Sequence, residues 1–429
     1  MAVPEPLAPA PYHAIDGCRI CADRALAPLL DLGEQALGSC FPGPGQPTPA
    51  RVPLELMRCE GCGLVQLRHT TSPDALYTYD YGYRSGTNTS MCDHLTGLTA
   101  WIEERCALRA GDVVLDIGCN DGTLLKAYRT AGLRRIGIDP IVGKFAQHFE
   151  ADITTIEGFF SAETWRRASP GAPARVITSI SMFYDLDDPN AFAGAIASAL
   201  ADDGIWVMEQ SYLPAMLDAN AFDTICHEHL EYYALSQIEW IAGAHGLRVF
   251  DAERNGCNGG SFRLALCRAD GPYPENRPAL NALRKLERDL ALGTERPYGV
   301  FAERIARLRD QVCRFIEGEQ AAGKVIYLYG ASTKGNTLLQ YFDLDHGRIT
   351  AAAERNPQKW GRRTPATDIP IVSEDDMRRA HPDYLLVLPW HFRDEFVARE
   401  ADYLKRGGRI IFPLPEMEIV GDQVRGIAG

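Results

Sequence analysis

The stretch GDVVLDIGCNDGTLLKAY, Gly111–Tyr128, decides the fold. Its apolar, largely β-branched run from Val113 to Ile117 reads as a buried strand. A turn with two glycines follows, and then a helix from about Thr123. The next strand is RRIGIDP, which ends in Asp139. A strand, a glycine turn at a helix start, and an acid closing the second strand describe an α/β unit that holds a nucleoside. The glycines let the backbone approach the ligand, and the acid accepts hydrogen bonds from both ribose hydroxyls.

The spacing separates two kinds of ligand. The turn reads D-x-G-x-x-x-G through Asp116, Gly118 and Gly122, not the G-x-G-x-x-G that cradles a pyrophosphate. Between the glycines stand Cys119, Asn120 and Asp121. Acids here repel a pyrophosphate and suit a ligand with an ammonium and a sulfonium, which is S-adenosylmethionine. The pattern resembles motif I of Rossmann-like methyltransferases. The expected cofactor contacts are Asp116, Gly118, Cys119, Asn120, Gly122 and Asp139. Further strands follow at suitable intervals, in ARVITSISMFYDLDDP and GIWVMEQSY, with the Ala-rich helix NAFAGAIASAL between them. Ligands in open α/β sheets lie beyond the carboxyl ends of the strands. This places Ser181, a further cofactor contact, with Tyr184, Glu209 and the run CHEHLEYY (Cys226–Tyr233) near one crevice.

Upstream are two CxxC knuckles, Cys18 with Cys21 and Cys59 with Cys62. Four thiolates complete a tetrahedral zinc site and leave no open ligand position, so the metal is expected to be structural. A redox CxxC would stand alone beside a βαβ unit. Between this module and the first strand, LYTYDYGYRSGTNTS carries Tyr77, Tyr79, Tyr81 and Tyr83 in alternation. They suit either a strand face packed on a core or hydroxyls at the lip of a cleft.

After Cys267 the composition changes. RADGPYPENRP looks like a linker, and Asn281 to Gly323 has the apolar spacing of two long helices. A second strand–glycine turn–helix begins at KVIYLYGASTKGNTLLQYF. Ser332, Thr333, Lys334 and Asn336 lie in its turn, where backbone N–H groups and a lysine make an anion site. The expected organisation is α/β, with a zinc-binding module at 1–72 and a Rossmann-like methyltransferase domain at 73–272. A helical region at 273–323 and a second Rossmann-like domain at 324–429 complete it.

The bulk numbers are consistent with this. The 429 residues suggest two to four domains, and 46% hydrophobic with 24% charged residues is ordinary for a globular chain. A net charge of −13 argues against a nucleic-acid partner. No apolar run is long enough to span a membrane, and the start lacks the features of a secretory signal, so a cytoplasmic location is expected. There the twelve cysteines need not form disulfides.

The order of motifs resembles the sugar C-methyltransferase family, which includes nucleotide-sugar C-3 methyltransferases of deoxysugar pathways. The resemblance rests on the cysteine module, the methyltransferase motif, HEHLEYY, NGGSFR, YGASTKGNT, ERNPQKWGRRTP and PDYLLVLPW, and it covers essentially the whole chain. It implies a monomer that binds S-adenosylmethionine in the middle domain and a dTDP-linked 4-keto-6-deoxysugar between the middle and C-terminal domains. It also implies that His229 is the catalytic base, with Glu228 beside it and Tyr83 or Tyr81 as donor or shuttle. Lys334 and Asn336 would meet the pyrophosphate or sugar, with Ser332, Thr333 and Tyr232 as further substrate contacts. Two positions depart from the family. Cys226 replaces the tyrosine that opens the run, and Tyr184 stands where many members have histidine. They leave open the sugar, the methylated atom and the proton path, so transfer to oxygen, nitrogen or another carbon acid, and a non-catalytic binding role, are the alternatives. A metal-hydrolase role for HEH fits poorly, because His227 and His229 are not spaced as in H-E-x-x-H.

Overall fold

The computed structural model describes residues 11–72, 76, 84–169 and 171–421. At the N-terminus, β1 (Tyr12–Ala14) pairs with β5 (His69–Thr71), and β2 (Leu26–Ala36), β3 (Arg51–Cys59) and β4 (Val65–Leu67) form an antiparallel sheet. In β3 the alternate residues Val52, Leu54 and Leu56 turn inward, the period of a strand with one covered face. The fourth strand of this sheet comes from far along the chain, at Glu231–Tyr232, and pairs antiparallel with β4.

The central strands are β6 (Val113–Ile117), β7 (Arg134–Asp139), β8 (Ile153–Glu157), β9 (Ala174–Ile180) and β10 (Leu200–Ser211). They are followed by β11 (Glu231–Tyr232), β12 (Leu247–Asn255) and β13 (Ser261–Arg268). All but β11 form one sheet, in the order β8-β7-β6-β9-β10-β13-β12. The first five are parallel, and β13 runs antiparallel between β10 and β12. Every residue of β6 is buried, as expected for a parallel strand covered on both faces. The chain leaves β6 first for β7 on one side and later for β9 on the other. The crevice beyond β6 is therefore the switch point at which ligands bind in such sheets.

The third sheet contains β14 (Ile326–Tyr329), β15 (Ala351–Glu354), β16 (Ile371–Ser373), β17 (Tyr384–Val387), β18 (Arg409–Phe412) and β19 (Glu418–Val420), in the order β16-β15-β14-β17-β18-β19. Only β19 is antiparallel. The two long helices are Arg277–Asp289 and Arg296–Ala321. The first folds back on β12 and the helix Leu235–Ala244. The second buries Tyr298, Phe301, Ile305, Leu308, Val312 and Ile316, a helical stripe, in the core of the C-terminal sheet. That core also takes Leu54, Leu56 and Val65 from the N-terminal sheet and Phe222, Ile225 and Leu230 from the loop before β11. Among the described residues no helix is long and apolar enough to cross a membrane.

Candidate functional site

The four cysteines converge. Cys18 and Cys62 Sγ are 3.5 Å apart, Cys21 and Cys59 Sγ are 3.4 Å apart, and all four lie within 4.8 Å of one another. A tetrahedron with Zn–S bonds of about 2.3 Å has edges of about 3.8 Å, so the quartet fits zinc. The hydrogen bond from Cys62 pulls the Cys18 thiol down to about 5, and the same contact pushes Cys62 up. Burial raises Cys59 to about 11.

The glycine turn is built as its sequence requires. Gly118 and Gly122 have φ of 72° and 73°. A Cβ on Gly122 would also lie 2.6 Å from the Phe149 ring, so both backbone and space demand glycine there. Asp139 Oδ2 accepts from the Asn120 amide at 3.0 Å and Oδ1 from the Ile141 amide at 2.8 Å. Burial still holds its pKa above the usual carboxylate range. Asp116 accepts from Thr178 Oγ1 at 2.6 Å on the same face of the sheet. Cys119 is buried against Gly137, so only its backbone faces the turn. Ser181, at φ 53°, donates its amide to the Glu209 carbonyl at 2.7 Å, which joins the ends of β9 and β10. The 3₁₀ turn Ser85–Thr87 lies over this loop: the Ser85 amide donates to Asn120 Oδ1 at 2.9 Å and the Gly86 amide to Asp121 Oδ2 at 3.1 Å. Beside it opens a cleft of about 390 Å³ lined by Arg84, Asp121, Lys126 and His148 among others.

In the CHEHLEYY run the two histidines diverge. His227 Nε2 donates to the Val52 carbonyl at 3.0 Å and is a buried tie to β3. His229 Nδ1 donates to the Thr224 carbonyl at 2.8 Å. A carbonyl can only accept, so this bond fixes the proton on Nδ1 and leaves the Nε2 lone pair available. The Tyr184 ring is 4.4 Å from that of His229, and the Leu230 amide donates to the Tyr184 carbonyl at 2.7 Å. Both rings line a cavity of about 10 Å³ with Thr224, Glu231 and Tyr232. Burial drives the His229 pKa down to about 3, and the charge of Lys334 adds to the effect. Glu228 is buried, and the weakly donating thiol of Cys226 is the polar group beside its carboxylate. Cys226 is buried too, and its thiol is pushed well up by that burial. The Tyr232 hydroxyl is buried and points to the Thr224 carbonyl at 3.5 Å. Tyr81 and Tyr83, expected as donors, lie outside the described residues.

The C-terminal turn closes the other side. Lys334 is half-buried, and its charge is felt by Asp223, Cys226, His229 and His391. Asp223 is buried and accepts from Trp390 Nε1 at 3.0 Å. One expectation for this turn needs correction. The Asn336 amide does not face a ligand: it is fully buried and donates to the Gly38 carbonyl at 2.7 Å, a tie to the N-terminal module. Ser332 Oγ accepts from the Gly335 amide at 3.0 Å as a helix cap, which leaves its O–H proton free to donate. Thr333 sits at the same close approach, its carbonyl against Gly38.

Comparisons with known proteins match three successive stretches of the chain. A family model described as zinc binding matches residues 18–77, a methyltransferase domain model matches 83–252, and the model of the C-methyltransferase C-terminal domain matches 256–415. The chain is 32% identical to the C-methyltransferase NovU of Streptomyces niveus over 409 residues, 95% of this chain and 97% of that one. The chain belongs to this C-methyltransferase family. It is an S-adenosylmethionine-dependent C-methyltransferase with a zinc module. Two solved structures that resemble the chain each cover less than half of it. Magnesium protoporphyrin IX methyltransferase ChlM from Synechocystis PCC 6803, with bound SAH, has 16% identity and a TM-score of 0.34 over 44% of this chain and 90% of that one. The mitomycin 7-O-methyltransferase MmcR has 16% identity and a TM-score of 0.33 over 42% and 54%. Neither likeness is strong enough to say anything of this chain's chemistry.

The methyltransferase holds further groups that its sequence does not announce. His94 hydrogen-bonds Glu209, whose other oxygen accepts from Arg263 at 2.7 Å and Asn255 at 2.9 Å. Cys257 and then Glu209 raise His94 to about 10, which makes it a cation at neutral pH. Burial works against the Glu209 charge, but His94 and Arg263 outweigh it and hold the carboxyl below its usual value. Asp223 and Thr224 are the other two: each takes its role from a partner distant in sequence or from a loop bend, which no local period reveals.

Proposed function

We propose that this enzyme methylates the carbon beside the ketone of a nucleotide-linked keto-deoxysugar, carbon 3 of a 4-keto-6-deoxyhexose, with His229 as the base. The observation that carries the proposal is the imidazole itself. Its Nδ1 is committed to the Thr224 carbonyl, its Nε2 keeps a free lone pair, and Lys334 of the second α/β unit stands close by. Bound S-adenosylmethionine supplies an electrophilic methyl on a sulfonium. His229 Nε2 takes the proton from the carbon next to the ketone, and the C–H electron pair becomes the enolate. That carbon then forms a bond to the methyl as the C–S bond breaks, and the electron pair stays on sulfur. The chain's task is alignment and support of the enolate charge.

The low basicity of His229 in the free chain fits this scheme. Burial is its first cause and Lys334 its second. A diphosphate seated against Lys334 offsets the second, so the nucleotide end of the substrate strengthens the base at the sugar end. Glu228, buried with only the weak thiol donor of Cys226 beside it, is suited to accept a sugar hydroxyl.

The test is mass spectrometry of the product after incubation with dTDP-linked 4-keto-6-deoxysugars, with a parallel incubation in deuterated water without cofactor. A methyl on carbon 3 and deuterium wash-in at that carbon are expected. A methyl on oxygen or nitrogen, or turnover with no wash-in, overturns the scheme.

A further inference from the structure

Arg19 lies inside the first cysteine knuckle, but its side chain runs into the interior and is only 2% exposed. Nη1 donates to the Leu67 carbonyl at 2.7 Å and Nη2 to Thr70 Oγ1 at 2.8 Å. Nε stands 3.5 Å from Asp187 Oδ1 and 3.6 Å from Glu231 Oε1. Thr70 Oγ1 also donates to Asp187, at 2.8 Å. These two acids belong to the two loops that carry the candidate site. Asp187 closely follows Tyr184, and Glu231 closely follows His229.

Glu231 has a fully enclosed side chain, and neither of its oxygens has a hydrogen bond. Burial pushes its pKa well up, and Arg19 is the first group that pulls it down. A buried acid with one cationic neighbour depends strongly on that neighbour. The backbone runs the same way. β11 pairs with β4, and the Leu67 amide donates to the Leu230 carbonyl at 2.8 Å. The knuckle is itself pinned to the helix Pro189–Ala199 of the methyltransferase unit, because Asn190 Nδ2 donates to the Ile20 carbonyl at 2.8 Å.

We propose that Arg19 is a positioning residue for methyl transfer: it clamps the His229 and Tyr184 loops to the cysteine knuckle, so that the metal module sets where the base stands. A displacement of about 1 Å in a reacting group costs about 10²-fold in rate. The clamp therefore shows in kcat rather than in cofactor affinity.

The test uses the full-length, zinc-loaded chain with Arg19→Met, which keeps the aliphatic stem and loses the charge. Zinc content and the Kd for S-adenosylmethionine should stay within about twofold of wild type, since neither set of ligands is touched. Amide hydrogen exchange over 227–232 should quicken about tenfold while the turn at 118–122 is unchanged, and kcat should fall about 10²-fold with little change in KM. Adding Glu231→Gln should restore part of the rate, because the buried carboxyl that faces Arg19 is then replaced by a neutral amide. Arg19→Lys should lie between wild type and Arg19→Met. Unchanged exchange over 227–232, an equal rise over the whole chain, or a double variant worse than Arg19→Met would each overturn the proposal. The kinetic part rests on His229 as base, whereas the exchange part does not. Faster exchange in Arg19→Met, with turnover retained in His229→Ala, would count against the base and leave the clamp standing.

Discussion

Binding of S-adenosylmethionine should expel a proton, with Asp116 as its source. The carboxyl lies near the end of β6, 3% exposed, with Thr178 Oγ1 as its donor at 2.6 Å. Burial pushes its pKa from 3.8 up to about 7; the Thr178 bond opposes this and the charge of Asp139 adds to it. At pH 7 the group is then about half ionised, and a cationic ligand beside it favours the charged form. If only the ionised form receives the cofactor, the association constant is divided by 1 + 10^(pKa − pH). That is about twofold at pH 7, about elevenfold at pH 6 and about a hundredfold at pH 5. Calorimetry at pH 7 in buffers of different ionisation heat should report release of about half a proton. Asp116→Asn should release none, bind more weakly and lose the pH slope. Equal affinity at pH 5 and pH 8 in the wild type, or equal proton release in the Asn variant, refutes the reasoning. The same shift sets the sign for stability. The folded chain holds this proton more tightly than the unfolded one. The stabilisation is therefore complete below pH 3.8 and lost as the pH rises through about 7. About three pK units correspond to at most about 4 kcal/mol. The Asn variant should accordingly melt above the wild type at pH 8, a difference that closes toward pH 4.

Four further outcomes are expected. His229→Ala should lower kcat by about 10²- to 10⁴-fold and abolish deuterium wash-in, with the cofactor Kd unchanged in calorimetry. Lys334→Met should raise the His229 pKa from about 3, read from its imidazole signals by NMR, because a repelling charge is removed; no upward movement would mean that the lysine is not close. Metal analysis should find about one zinc per chain, lost in Cys18→Ser. A second equivalent that survives in that variant would point instead to His94, Glu209 and Cys257, whose ligand atoms also lie within 4.8 Å of one another. Trp390→Phe leaves the buried Asp223 carboxylate without its indole donor, and should cost about 1–3 kcal/mol in urea unfolding.

Much of the architecture could be read from the chain because its signals are local. The β6 run, the glycines at φ 72° and 73° and the acid closing β7 are neighbours in sequence, and each has a steric or electrostatic reason for its place. The cysteine quartet was legible for the same reason, since each pair shares a tight turn. The loop of His229 could be located but not oriented. His227 and His229 look equivalent in CHEHLEYY, and only the Val52 and Thr224 carbonyls tell them apart. Asn336 was misread as ligand-facing because a glycine turn with polar residues looks the same whether it meets a ligand or another segment's backbone. Here Gly38, from the N-terminal module, occupies that place. Arg19 with Glu231, Asp223 with Trp390, and His94 with Glu209 each join distant segments, and no period or spacing signals such pairs.

The pairing of β11 with β4 also has a bearing on how the protein is made. The N-terminal sheet lacks its last strand until the ribosome has passed Tyr232, and β4, wholly buried in the finished fold, keeps an open edge until then. An unpaired, apolar edge is a template for other strands. Synthesis of the central domain is thus a period of exposure for the first. A fragment that ends before Glu231 should be aggregation-prone even with its four cysteines loaded. The two residues that close that sheet follow directly on the loop of the base, so the N-terminal edge is covered only when the candidate site is put together.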